Sequence, residues 1–143
     1  MELAWMMLAN HAEAPPNGLL YLSGASWDTL NVTEPLPPEA PTGAVAFVHG
    51  VLVARLLFHS TEVGTEFPFA LTIIDEDGRQ VGRVEGGVTA RTEDDAPATW
   101  SRASNVIVGL TGLPLPRFGE YRISLAVNRE HKGELPFRVV RRY

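Results

Sequence analysis

No cysteine occurs in the 143 residues. Its absence excludes disulfides, thiol catalysis, zinc ribbons and iron–sulfur clusters, and it fits a reducing compartment. Lysine is almost as scarce. Of the 12 basic residues all but Lys132 are arginine, and 17 acidic residues bring the net charge to -5. That balance opposes gripping a phosphate backbone, so no nucleic-acid partner is expected. Long apolar runs are missing as well. None reaches the ~18 residues of a membrane span. The opening run 3–8 has neither the basic lead nor the small-residue cleavage site of a signal peptide. A cytoplasmic protein with no membrane partner is therefore expected.

What is present suffices for a core. Apolar residues make up 45% of the chain, ordinary for a globular protein. A chain of this size buries roughly 70% of its unfolded surface. A single domain over residues 1–143 is expected, without a metal or disulfide staple.

Strand signals recur along the chain and helix signals do not. Phe67, Phe69, Leu71 and Ile73 alternate with other residues, and Asp77-Gly78 supplies a hairpin turn before a return strand over 80–89. Tyr121, Ile123, Leu125 and Val127 alternate with Arg122, Ser124, Ala126 and Asn128. A turn is expected over 130–133, leading to Leu135, Phe137 and Val139. The run 44–58 is apolar on both parities. It suits a central strand buried on both faces, two strands bent at Gly50, or, by length alone, a helix. Its valines favour strand. Prolines over 35–41 exclude a helix interior there and mark a connection between sheets. Uneven loops near 33–43 and 90–100 favour crossings between sheets over the hairpins of a barrel. The expected fold is all-β: one antiparallel β-sandwich of about eight strands.

Gly119-Glu120-Tyr121 at a strand entry resembles the tyrosine corner of immunoglobulin-like sandwiches. The whole chain is also similar to a family of small uncharacterised bacterial proteins, a domain of unknown function. The shared features are the N-terminal apolar strand, the segment 19–25, the turn 74–78 and the ending Pro136-Phe137-Arg138-Val139. The family resemblance implies a bacterial origin and a single sandwich domain, the tyrosine corner an immunoglobulin-like one, and neither carries over a residue with an assigned role.

Candidate chemistry is sparse. There is no Gly-x-Ser-x-Gly. The loop from Asp75 fails the calcium-loop pattern, because Gln80 and Gly86 stand where glycine and glutamate are needed. Arg122, Arg138, Arg141 and Arg142 read as a solvated strand face, and Trp5 as a core residue. If strand direction alternates throughout, one end of the sandwich collects His11, His59 and His131 with Glu13, Glu62, Glu93, Asp94 and Asp95. Imidazoles and carboxylates together can hold zinc or a similar ion. The candidates are His11, His59, His131 and Asp94, although none has the close spacing of a strong metal motif. No cofactor is expected. The expected function is a non-catalytic protein-interaction or structural module, with self-association through a free sheet edge as one form. The alternative is a small-ligand or metal-binding protein using the histidine-bearing end.

Overall fold

The computed structural model describes residues 1–16, 19–40, 43–91 and 96–143. The strands are β1 Glu2–Glu13, β2 Tyr21–Ala25, β3 Thr29–Val32, β4 Ala46–Phe47, β5 Val51–Phe58, β6 Glu66–Asp75, β7 Gln80–Thr89, β8 Arg102–Gly109, β9 Pro114–Leu115, β10 Gly119–Val127 and β11 Glu130–Arg141. No α-helix lies among the described residues, only a 3-10 turn at Ser60–Glu62. No helix there is long and apolar enough to cross a membrane. The fold is all-β.

The period-2 alternation places the central strands. Tyr121, Ile123, Leu125 and Val127 of β10 are all buried, as are Leu71 and Ile73 of β6. The two strands pair antiparallel, with Ile123 opposite Ile73 and Leu125 opposite Leu71. With β11 and β7 alongside and β3 at the rim they form a five-stranded sheet, β3-β11-β10-β6-β7. A four-stranded sheet, β2-β1-β5-β8, lies over it. Its inward residues Leu8, Leu52, Leu56, Phe58 and Val108 join the same apolar cluster as Leu71, Ile123, Phe137 and Val139. Each such side chain contributes roughly 1.5–3 kcal/mol through burial.

The architecture is not a single antiparallel sandwich of eight strands. The described residues make eleven strands in three sheets, the third being the pair β4-β9, and β3 runs parallel to β11. Two local breaks account for much of this. Gly50, at φ 136, divides the apolar run 44–58 into β4 and β5. Ser26, at φ 64, ends β2 and sends the chain across to the other sheet as β3.

Bulges also reset which face a side chain occupies. The register of β1 on β5 shifts between Leu3 and Trp5. The extra residue, Ala4, leaves Leu3 and Met6 packed on the core and turns Trp5 outward, so the core position expected for Trp5 is corrected. A second shift between Leu125 and Ala126 makes Lys132 the extra residue in β11. His131 and Glu134 therefore share the outer face of the five-stranded sheet, opposite Ala126 and Ser124.

Candidate functional site

The histidines do not converge. His11 lies inside β1, two residues beyond Ala9, which pairs with Val51. His59 follows β5 at the opposite end, where Leu57 pairs with Glu2. Strand rise separates the two by roughly 30 Å. Strict alternation of direction failed because the chain changes sheets between β2 and β5, so β1 and β5 end at opposite rims. His11 contacts Glu13 at 2.9 Å in an exposed pair, and the amide of His59 donates to Glu62 at 2.9 Å beside the 3-10 turn. His131 is a strand residue, because the hairpin turns at Asn128-Arg129 and not over 130–133. Asp94 lies outside the described residues. Among the described residues no three histidine, aspartate or glutamate side chains are grouped closely enough to hold a metal.

The Asp75 turn is a structural cluster. The Asp75 carboxylate is almost fully buried and accepts from the amides of Asp77 and Arg79 at 3.0 and 2.9 Å. Arg117 bridges it to Asp77 at 3.0 and 2.7 Å. The Tyr121 hydroxyl donates to the Arg117 carbonyl at 2.6 Å and accepts from its amide at 3.1 Å. That is the corner expected from Gly119-x-Tyr121. Burial pushes the Asp75 carboxyl up. The two amides and Arg117 outweigh that and hold it below the ordinary value of 3.8. The lowered value fixes the sign of a pH effect. The stabilisation is complete above about pH 4 and is lost as pH falls through the folded-state value. Urea midpoints are expected to drop more steeply below pH 4 for the wild type than for Asp75→Asn; equal slopes would contradict this.

The outer face of the four-stranded sheet is apolar. Paired residues form rows across it: Ala9, Val51 and Gly109; Met7, Val53 and Ile107; Trp5, Arg55 and Asn105; Glu2, Leu57 and Ala103. Val53 and Ala9 are completely buried yet stand outside the core cluster. Trp5, Met7 and Ile107 are half-buried, and Leu57 is 39% exposed. The run 44–58 announced this face by being apolar on both parities. No layer of described residues covers it.

The outer face of the five-stranded sheet is polar and grooved. Thr72 lies between Ser124 and Arg83, and Ala70 between Ala126 and Glu85. These small side chains leave a floor below longer neighbours, a groove of about 500 Å³ lined also by Phe69 and Arg129. Arg83 pairs with Glu85 at 2.7 Å. Ser124 Oγ lies 3.0 Å from His131 Nδ1. The Glu134 carboxylate is 3.9 Å from His131 Nε2, too far to orient that ring as a hydrolytic triad requires. Arg129 was missed by placing the turn two residues late, since Lys132-Gly133 has turn character. Carrying the alternation of β10 through to Val127 would have pointed to Asn128-Arg129.

Residues 4–140 match the family of unknown function DUF6941. The chain belongs to that family. No curated protein matches it. Among solved structures, a glycosyl hydrolase family 2 member from Bacteroides cellulosilyticus DSM 14838 is similar at 13% identity and a TM-score of 0.37. The match covers 62% of this chain and 12% of that one. The resemblance to an uncharacterised family therefore holds over nearly the whole sequence, and membership in DUF6941 brings no assigned activity with it.

Proposed function

We propose that this chain is a non-catalytic protein-interaction module that docks the outer face of its four-stranded sheet against an apolar surface of a different protein. The supporting observation is the set of rows centred on Met7, Val53 and Ile107. An antiparallel sheet with one solvated face normally alternates apolar and polar residues, and β5 does not. A contiguous apolar patch rimmed by polar groups is the usual mark of a protein-binding surface. The tyrosine corner at Tyr121 supports an immunoglobulin-like relationship for the other sheet.

Arg55 gives the partner's chemistry. It sits half-buried within this face and donates through Nη1 to Asn105 at 3.2 Å. A guanidinium carries five donors, so a partner carboxylate has donors left to meet. A second copy seated with Arg55 against Arg55 would oppose like charges, whereas a carboxylate on a different protein would pair with it.

A photocrosslinking residue at position 107 tests this in the native host. The wild-type background is expected to give an adduct with another protein. Leu57→Glu or Arg55→Glu should abolish it, and Glu85→Lys on the other sheet should leave it intact. Leu57→Glu should change stability by no more than about 0.5 kcal/mol, as for an exposed position. No adduct, an adduct with a second copy, or one that survives Leu57→Glu overturns the reading.

A further inference from the structure

The hairpin joining β10 to β11 turns on two residues, Asn128 at φ 52 and Arg129 at φ 65. Such a turn needs the left-handed region at both positions, and its second position favours glycine. Asparagine tolerates the first; an arginine at the second holds the backbone where non-glycine residues are uncommon. The position has a use, however. The Arg129 side chain lines the groove on the outer face of the five-stranded sheet. Among the described residues its guanidinium has no acceptor. Across the floor, Arg83 is held by Glu85 at 2.7 Å and reaches Thr72 at 3.4 Å. Ser124 and Thr72 add hydroxyl donors, while Ala70 and Ala126 give the floor an apolar part.

We propose that this groove binds a small organic oxyanion, a carboxylate or a phosphate monoester, with Arg129 as its principal anchor and the Ser124 and Thr72 hydroxyls as its hydrogen-bond donors. A volume of about 500 Å³ falls within the range of small-molecule sites. A guanidinium suits an oxyanion because it offers parallel donors to two oxygens. Glu85 weakens the site by neutralising Arg83. The proposal is independent of the docking face, which belongs to the other sheet.

Amide chemical shifts of the full chain, titrated with acetate, benzoate and inorganic phosphate, test it. Saturable shifts are expected at Thr72, Ser124, Ala126 and Arg129 with at least one of the three. Benzoate binding more tightly than acetate identifies an organic carboxylate, and saturation by phosphate alone identifies a phosphate group. Arg129→Gly suits the turn better than arginine and so keeps the fold; it should weaken binding at least tenfold. Glu85→Gln should strengthen it. Linear, non-saturating shifts with all three probes, or unchanged affinity in Arg129→Gly, overturns the proposal.

Discussion

Gly50→Ala is expected to destabilise the chain by about 2–6 kcal/mol, measured as a fall in the urea midpoint at constant m. Two costs combine. At φ 136 a side chain holds the backbone in a region that costs of order 1–3 kcal/mol. The new methyl would also press on the backbone carbonyl of Ala9, and strand backbone has no free space into which to move; overpacking of this kind typically costs a further 1–3 kcal/mol. The surroundings fix Gly50 from the other side. Its amide donates to Thr111 Oγ1 at 3.0 Å, and its carbonyl accepts from the Leu110 amide at 3.0 Å. Gly64→Ala is the control. Gly64 has φ 87 with nothing within 4 Å of the added methyl, so it should show the conformational cost alone. Equal losses at the two positions would refute the steric part.

Phe58→Ala should cost about 3–5 kcal/mol, the range for deleting a buried aromatic ring. Phe58 is 1% exposed, closes the inner face of β5 and stacks on Phe67 with ring centroids 6.2 Å apart. Deletion opens a cavity between the two sheets at a point held by both. Its neighbour provides the contrast. Leu57 points the other way, and its conversion to glutamate should barely move the same midpoint. Adjacent residues of one strand would then differ severalfold in effect, a direct reading of which face is core. A loss below about 1 kcal/mol for Phe58→Ala would mean that the ring does not fill the core as described.

The comparison between sequence and structure follows from what period 2 carries. Alternation in Tyr121–Val127 and Phe67–Ile73 reports which side chains go inward, and both strands lie where the pattern puts them. Asp77-Gly78 and Gly50 act locally, so their turn and break were legible as well. Alternation is silent about partners. Nothing within Thr29–Val32 specifies that β3 should lie parallel to β11, because that pairing depends on contacts over a hundred residues away. Bulges erase the pattern too. A single extra residue at Ala4 moved Trp5 off the core, and another at Lys132 put Glu134 on the same outer face as His131. The histidine-bearing end failed for the first reason, and the Arg129 groove was missed because Lys132-Gly133 has the turn character that Asn128-Arg129 carries out. The docking face was half legible. The two-sided apolar run 44–58 said that β5 should be covered on both faces, and among the described residues a packed sheet lies over the inner one.

The position of β3 also sets an order of events during synthesis. Its pairing partner begins around Arg138, whose side chain bonds Thr29 across 109 residues of sequence. Loop closure over such a distance is slow and comes late. At about 5–20 residues per second, Leu30 and Val32 wait for several seconds beyond the ribosome before the strand that shelters them exists. During that interval β3 is the segment open to chaperones and to pairing with another nascent chain.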